Sequence, residues 1–241
     1  MKLSIVIPVY NGADSIEQLV KVIFEQLQNQ VDLEIVLVND CSLDKSWEKL
    51  VFLQTIYASK IIAVDLSSNF GEHNAVMAGY HYCHGDYIVN IDDDFQNPPS
   101  EILKLLEEIR IGYDVVYSIY SKKQQSLFRN LGSKLNDKMA NIMLKKPHDL
   151  YLSSFRIISA SLLRQIIKYE GPYPYIDGLI LRATSKISQL EVVHESRRDG
   201  TSNYTLVKLI RLWSNMFFNF SLTPLRVATI LGGIFSMFGF V

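Results

Sequence analysis

Three consecutive carboxylates follow a short apolar segment in residues 87–99, which read Y-I-V-N-I-D-D-D-F-Q-N-P-P. Successive side chains of a strand point to opposite faces, so a strand through this stretch would place Asp92 and Asp94 together, with Asp93 turned away. Two like charges held close together are costly unless a cation lies between them, and oxygen ligands suit Mg²⁺ or Mn²⁺. We therefore expect a divalent metal site at Asp92 and Asp94, with Gln96 as a further oxygen ligand. A solvated acidic turn before a helix is the alternative.

The segments around this stretch alternate between strand and helix patterns. Short apolar segments beginning at Leu3, Leu33, Lys60, Tyr87 and Val115 predict strands, and segments with helical periodicity lie between them. This alternation favours an α/β fold with a mostly parallel sheet flanked by helices, in which ligands bind beyond the carboxyl ends of the strands. Four polar clusters at those ends predict one shared site. They are Pro8 with Tyr10 and Asn11, Asp40, Asn69 with Gly71, and residues 92–96.

The overall composition argues against several classes of protein. With 241 residues, the chain can form one large domain or two small ones, and its net charge of −1 argues against a general nucleic-acid binder. Its two cysteines, Cys41 and Cys83, cannot form a disulfide framework and fit a reducing compartment. No G-x-G-x-x-G follows the first strand and no P-loop signature occurs, which argues against a dinucleotide site.

A basic segment departs from this balanced charge. Residues 118–147 contain seven basic side chains against one acid, Asp137. Such a segment indicates a local anionic partner, a phosphate or a membrane surface, although a solvated helix face would have the same composition. The basic residues are Lys122, Lys123, Arg129, Lys134, Lys138, Lys145 and Lys146.

The C-terminal part of the chain has the pattern of a membrane protein. After a globular domain of residues 1–204, apolar and aromatic side chains recur at helical spacing in residues 205–222. This spacing favours an amphipathic helix in the membrane interface over a helix packed on the domain. We expect residues 223–241 to begin a transmembrane helix that is cut short, with a buried C-terminal helix as the alternative. Positive residues before this span, Arg226 among them, place the globular domain in the cytoplasm.

Short motifs across the whole chain resemble those of family-2 glycosyltransferases of the GT-A fold. They are S-I-V-I-P-V-Y-N in the first strand, V-N-D-C-S after the second, N-F-G-E-H-N-A-V-M-A-G after the third, and the acidic stretch with its preceding G-D. The Gln and Pro-Pro after the acidic group are similar to the branch that uses polyprenyl phosphate acceptors, the dolichol-phosphate-mannose-synthase-like enzymes. S-S-F-R at residues 153–156, R-R-D-G-T-S-N-Y at 197–204 and S-L-T-P-L-R before the apolar tail agree with this resemblance.

The resemblance implies a donor side of the site. Asp92 and Asp94 match the D-x-D motif, whose metal bridges the diphosphate of a sugar nucleotide, and Gln96 is implied as a further ligand. Asp40 is implied to bind the base of the nucleotide. The full set of implied nucleotide-binding residues is Pro8, Tyr10, Asn11, Asp40, Asn69, Gly71, Asp92 and Asp93.

The resemblance also implies an acceptor side. Arg129 and Ser133 resemble a pair that grips the acceptor phosphate, and Arg197 opens the R-x-x-G-x-S-K-Y pattern associated with phosphate and lipid. Asn203 replaces the Lys of that pattern, and the neighbouring Arg198 is expected to supply the missing cationic contact. Two further departures from the family pattern are Asn39 in place of Asp and Ser154 in place of Gly.

The implied reaction is an inverting transfer of a sugar from a nucleotide diphosphate, with Mg²⁺ or Mn²⁺ neutralising the charge on the leaving group. A phosphate monoester has a second pKa of about 6, so this acceptor is largely dianionic at pH 7 and needs docking more than a base. A hydroxyl acceptor needs a general base. The candidates for this base are Asp149 and Asp177. Asp94 of the metal site is the third residue expected to be catalytic.

The leading hypothesis is a polyprenyl-phosphate glycosyltransferase at the cell inner membrane, with its catalytic domain in the cytoplasm. One alternative is a family-2 transferase that adds a sugar to a glycan or lipid hydroxyl. Another is a non-catalytic nucleotide-sugar-binding membrane module, which the intact D-x-D motif argues against. UDP, GDP and dTDP donors all stay open, and so does a homo-oligomer. His73 is interpreted as an ordinary histidine at the start of a helix.

Overall fold

The computed structural model describes residues 1–120, 149–193, 229–233 and 235–236. The chain divides into two compact units. The first unit comprises Met1–Lys123 and Tyr151–Gly200, and the second comprises Gln124–Leu150 and Thr201–Val241.

The described part of the second unit is small. It contains Asp149, Leu150 and short helical stretches at 229–233 and 235–236. Within the described ranges, no helix combines the length and the apolar character needed to cross a bilayer. The amphipathic segment predicted at 205–222 and the boundary predicted at residue 204 lie outside the described residues, and the span predicted at 223–241 is described only in part.

The first unit is built on a sheet of seven described strands in the order β3-β2-β1-β4-β6-β5-β7. Strands β1 to β4 pair in parallel, as do β5 and β7, whereas β6 runs antiparallel to both of its neighbours. The mostly parallel sheet predicted from the sequence is therefore confirmed, with one reversed strand. The strands are β1 (Lys2–Val9), β2 (Asp32–Asn39), β3 (Ile61–Asp65), β4 (Tyr87–Asn90), β5 (Val115–Tyr120), β6 (Arg156–Ser159) and β7 (Ile187–Val192).

Six α-helices of the described chain connect and flank these strands. Short 3₁₀ turns at Ala58–Lys60 and Pro99–Glu101 precede β3 and α4. The helices are α1 (Ile16–Leu27), α2 (Ser46–Tyr57), α3 (Glu72–Tyr80), α4 (Ile102–Ile109), α5 (Ala160–Ile166) and α6 (Ile176–Ala183).

Helix α1 shows how the sequence pattern builds the core. Its apolar residues recur every three or four positions and form one stripe against the sheet. Burying each large side chain of this kind contributes about 1.5–3 kcal/mol relative to leaving it exposed. The stripe packs with the inward residues of β1 and so fixes the end of that strand. The buried residues of α1 are Ile16, Leu19, Val20, Ile23, Phe24 and Leu27.

The strand register brings the polar clusters to one edge of the sheet. Val9 pairs with Asn39, and Asn39 pairs with Asp65, so β1, β2 and β3 end side by side. Because β6 is antiparallel to β4, Asn90 at the end of β4 pairs with Arg156 at the start of β6. The residues just before β6 therefore reach the same edge as the residues just after β4.

Candidate active site

The acidic loop begins where β4 ends, at Asn90. Asp93 and Asp94 lie in a turn, so the expectation that a strand continues through the carboxylates is wrong. Further along the loop, Phe95 takes a left-handed backbone conformation, with φ of 60°, while its side chain is buried in the core. A bulky residue in this conformation is uncommon, so the buried ring holds the loop in a shape that the backbone alone would not favour.

The three carboxylates nevertheless have different surroundings. Asp92 Oδ2 accepts a hydrogen bond from Ser154 Oγ at 2.7 Å. Asp94 Oδ1 accepts one from the backbone amide of Gln96 at 3.1 Å. Asp93 turns toward the loop after β1, where a Cβ on Gly12 would lie only 2.0 Å from Asp93 Oδ2. The different contacts of the three carboxylates are therefore set by the loop and its neighbours, not by strand alternation.

Asp40 organises the loop that follows β3. It is buried, and its carboxylate accepts hydrogen bonds from the backbone amides of Phe70 at 2.8 Å and Gly71 at 2.9 Å. Burial raises the pKa of Asp40, and these two amides oppose that rise. Asn69 Nδ2 donates to the carbonyl of Asp40, and Gly71 has φ of 89°, which a glycine adopts without strain. The contacts place Asp40 and residues 69–71 together.

The loop after β1 is held against the loop after β2. Asn11, with φ of 56°, accepts a hydrogen bond from the amide of Leu43 at 2.8 Å, and its own amide donates to Ser42 Oγ at 3.0 Å. Asn tolerates the left-handed conformation better than most residues because of its short polar side chain. Nearby, Pro8 is half-buried and Tyr10 is exposed at the rim of the edge. The side chain of Tyr10 is therefore accessible at the edge where the nucleotide is expected.

The first turn of α3 adds two titratable side chains that the sequence-based prediction left without a role. Burial, followed by repulsion from Asp92, raises the pKa of Glu72 above its usual value, and Asp94 adds to the repulsion. The side chain of Glu72 is nevertheless exposed, so water weakens both the effect of burial and this repulsion. Burial lowers the pKa of His73 to about 4, and its ring meets Tyr175 edge to face at 5.0 Å between centroids. The site is therefore strongly acidic, and His73 is neutral at pH 7.

A buried ion pair lies under the start of β6. Arg156 Nη1 donates to Asp177 Oδ1, and the two side chains are 2% and 9% exposed. The hydroxyl of Tyr117 donates to the same Asp177 oxygen at 3.0 Å. Burial lowers the pKa of Arg156, but the attraction of Asp177 outweighs it and holds this pKa above its usual value. Asp177, predicted as a candidate base, is thus engaged with a cation, an arrangement that favours a positioning role.

The structure describes the acceptor side of the predicted site only at Asp149. Asp149 is exposed and belongs to the second unit. Arg129, Ser133, Arg197 and Arg198 lie outside the described residues.

The carboxylates suit a cation that shares its ligands with a substrate. Within the described ranges, no group of three or more His, Cys, Asp or Glu side chains is arranged to hold a metal ion by itself. Asp92 and Asp94 offer two carboxylates in one loop, and both repel the carboxylate of Glu72. A divalent cation bound by Asp92 and Asp94 would relieve this repulsion. Mg²⁺ in particular binds through one or two carboxylates, waters and substrate phosphates. These residues therefore fit the predicted metal.

The fold and the site define an α/β protein with a polar, acidic site at the carboxyl edge of its sheet. Residues 4–167 match the family model described as glycosyl transferase family 2. The chain belongs to this family, and it is a glycosyltransferase. The family resemblance drawn from the sequence motifs is confirmed.

Two similar proteins illustrate the relationship. The undecaprenyl-phosphate 4-deoxy-4-formamido-L-arabinose transferase of Edwardsiella ictaluri is 34% identical over 239 residues, covering 99% of this chain and 74% of that protein. The protein of the same name from Pectobacterium carotovorum is 34% identical over 240 residues, covering 99% of this chain and 73% of its own length.

Solved structures share the fold. Glucosyl-3-phosphoglycerate synthase from Mycobacterium tuberculosis, in a complex with Mn²⁺, uridine diphosphate and phosphoglyceric acid, superposes with a TM-score of 0.63. The identity is 19%, and the match covers 90% of this chain and 76% of that one. At this identity the comparison supports the fold alone.

Proposed function

We propose that this protein transfers a sugar from a nucleotide-diphosphate sugar to a polyprenyl phosphate, with inversion and with a divalent cation, at the cytoplasmic face of the inner membrane. The observation that carries the proposal is the similarity to undecaprenyl-phosphate sugar transferases along almost the whole chain, at 34% identity over 99% of its length. The acidic loop at the carboxyl edge of the sheet supplies a site that fits this chemistry.

On the donor side, we assign the base and ribose to the loops after β1, β2 and β3. Tyr10 offers an exposed aromatic face for the base, and aromatic faces stack well on nucleobases. The carboxylate of Asp40 accepts hydrogen bonds from the amides of Phe70 and Gly71. Asp40 therefore both lines the base pocket and fixes the loop that forms it. Tyr10 and Asp40 thereby position the nucleotide so that its diphosphate reaches Asp92 and Asp94.

Asp92 and Asp94 would hold the cation, with Gln96 as the further oxygen ligand. When bound, a divalent cation neutralises the charge that develops on the diphosphate leaving group. Asp94 is already fixed by the amide of Gln96 and Asp92 by Ser154, so both carboxylates are oriented before substrate arrives. Mg²⁺ and Mn²⁺ both suit such oxygen ligands.

On the acceptor side, a polyprenyl phosphate supplies its own nucleophilic oxygen. Because its second pKa is about 6, the phosphate is largely dianionic at pH 7 and needs cationic groups to dock it. We assign that docking to Arg129, Ser133, Arg197 and Arg198. The buried pairing of Asp177 with Arg156 favours this acceptor over a hydroxyl, because Asp177 is engaged where a base would have to be available.

Several finer features belong to the same proposal. The interfacial helix at 205–222 and the apolar span at 223–241 would attach the enzyme to the membrane that contains its acceptor. A uridine diphosphate sugar is the first donor to test, with 4-deoxy-4-formamido-L-arabinose as the first sugar, since the relatives transfer that sugar. GDP and dTDP donors complete the panel.

The test uses the full chain in membranes with Mn²⁺ or Mg²⁺, undecaprenyl phosphate and a panel of labelled nucleotide sugars. We expect label to enter the organic phase, to require the cation, and to be released by mild acid, because a glycosyl phosphate is acid-labile. Asp94→Asn should abolish the labelling.

Two other outcomes would redirect the proposal. A donor consumed only with a glycan or lipid hydroxyl would refute the phosphate acceptor and make Asp149 and Asp177 the bases to test. Nucleotide-sugar binding without any turnover, with every acceptor class supplied, would point to a binding module.

A further inference from the structure

The turn formed by Ser153 and Ser154 lies between the acidic loop and the buried ion pair. On one side, Ser154 Oγ donates to Asp92 Oδ2 at 2.7 Å. On the other side, the carbonyl of Ser153 accepts Nη1 of Arg156 at 3.2 Å, and the same Nη1 donates to Asp177. A continuous path of polar contacts therefore runs from the first turn of α6 to a carboxylate of the predicted metal site.

The hydroxyl of Ser153 fixes the turn from a second direction. Its oxygen lies 2.9 Å from Ser118 Oγ and 3.1 Å from the hydroxyl of Tyr120, both on β5. The hydroxyl of Tyr120 also donates to Oδ1 of Asn97, in the loop that follows the acidic residues, at 2.9 Å. Ser153 and Ser118 are buried, so breaking these bonds would leave polar groups without water. The turn is therefore held in place before any ligand binds.

We propose that Ser154 is a positioning residue for the metal site: its hydroxyl holds the Asp92 carboxylate in the orientation that binds the cation, and the Arg156–Asp177 pair fixes the turn that presents this hydroxyl. This role rests on the proposed function, because it is a role toward the divalent cation. Hydrogen-bond partners that orient metal ligands typically contribute 10–100-fold to metal affinity or activity.

The contact depends on the residue type at position 154. Serine supplies a hydroxyl that donates to Asp92, whereas alanine or glycine at this position would have no donor. The same hydrogen bond also has an opposing effect on the affinity of Asp92 for the cation. A hydrogen bond draws electron density from the carboxylate, so if this withdrawal dominated, removing the hydroxyl would tighten cation binding.

The test measures Mn²⁺ binding to the full-length protein in the presence of uridine diphosphate, from the electron paramagnetic resonance signal of free Mn²⁺. We expect Ser154→Ala to weaken Mn²⁺ binding about 10-fold. Ser154→Thr keeps a hydroxyl and should restore most of the affinity. In turnover, Ser154→Ala should raise the Mn²⁺ concentration for half-maximal rate more than it lowers kcat at saturating Mn²⁺.

A matched control exists elsewhere in the sheet. Ser188 on β7 donates to Glu108 Oε1 at 2.7 Å, the same type and length of contact as Ser154 with Asp92. Ser188→Ala should leave Mn²⁺ binding unchanged. Equal weakening in Ser188→Ala and Ser154→Ala would mean a general loosening of the domain and would overturn the proposal.

The outcomes separate this proposal from the proposed function. Wild-type binding of Mn²⁺ with unchanged or tighter binding in Ser154→Ala overturns the positioning role and leaves the glycosyl transfer intact. No Mn²⁺ binding by the wild type, with uridine diphosphate present, overturns the positioning role together with the metal dependence of the proposed reaction.

A double variant tests the path through the ion pair. If Ser154 and Asp177 act on Asp92 along one path, their effects on Mn²⁺ affinity should not be independent. The fold-loss of affinity in the double variant should then be smaller than the product of the fold-losses in Ser154→Ala and Asp177→Asn. Independent, multiplicative losses would show that Asp177 is not part of the path. Tyr117→Phe removes only the 3.0 Å contact with Asp177, so it replaces Asp177→Asn in the cycle if that variant fails to fold.

Discussion

Replacing Asp177 with asparagine tests whether the buried ion pair is structural or catalytic. The change keeps the size and the oxygen acceptor of the side chain but removes its charge. Arg156, whose side chain is 2% exposed, then remains charged in a site with little water. The variant therefore isolates the cost of an uncompensated buried cation.

The structure sets the size of the effect. Removing one partner of a buried ion pair costs about 3–5 kcal/mol, and the low end applies here because the asparagine oxygen can still accept from Tyr117. A loss of about 3 kcal/mol lowers Tm by roughly 6–12 °C in a domain of this size, at about 2–4 °C per kcal/mol. Replacing both partners, as Arg156→Met with Asp177→Leu, should cost less than Asp177→Asn alone.

The assay is urea and thermal unfolding of the full chain, followed by circular dichroism. Asp32→Asn is the control, because Asp32 is exposed and its loss should change the stability by less than about 0.5 kcal/mol. A loss below about 1 kcal/mol for Asp177→Asn would refute the buried pair. An unchanged stability with a fall in kcat of about a thousandfold or more would instead identify Asp177 as the general base.

Three further variants test separate parts of the site. Gly12→Ala should cost about 1–3 kcal/mol in urea unfolding, because its Cβ would lie 2.0 Å from Asp93 Oδ2; no loss would mean that Asp93 moves freely. The pKa of His73 is about 4 in the folded protein, so the unfolded state takes up a proton first as the pH falls. The contribution of His73 to the free energy of unfolding is therefore lost between pH 6.5 and 4. His73→Gln should therefore reduce the drop in unfolding free energy between pH 7 and 5, and equal drops would contradict this assignment. Mn²⁺ binding should expel a proton from Glu72, whose pKa is raised by burial and then by Asp92; calorimetry in two buffers should show less proton release in Glu72→Gln.

The parallel half of the sheet could be predicted because its signals are local. The apolar residues of β1 and the helical stripe of α1 lie close together in the sequence, and both are buried as predicted. Helix α4, at Ile102–Ile109, lies between β4 and β5, where a segment of helical periodicity was expected. Strand β6 has only four residues and begins with Arg156, a residue type that is seldom fully buried. Nothing local indicated that it would run antiparallel between β4 and β5.

The same distinction applies to the site. The parallel pairing of β1, β2 and β3 places the ends of these strands side by side, as the sequence predicted, and the shared site at that edge stays a prediction. The reason given for the geometry of Asp92 and Asp94 was wrong, because β4 stops at Asn90. The contact between Ser154 and Asp92 joins residues 62 positions apart, so it depends on the reversed strand and has no local signal.

The antiparallel course of β6 has a consequence for how such an enzyme can diversify. The chain leaves β5 at Tyr120 and returns to the first unit at Tyr151, and the rings of these two tyrosines meet edge to face with centroids 6.1 Å apart. This contact holds the end of β5 against the chain that enters β6, so both ends of the intervening sequence are anchored on the same sheet. Changes in the sequence between these two anchors would therefore leave the sheet, its carboxyl edge and the acidic loop where they are, and such an enzyme could vary there without rebuilding its site.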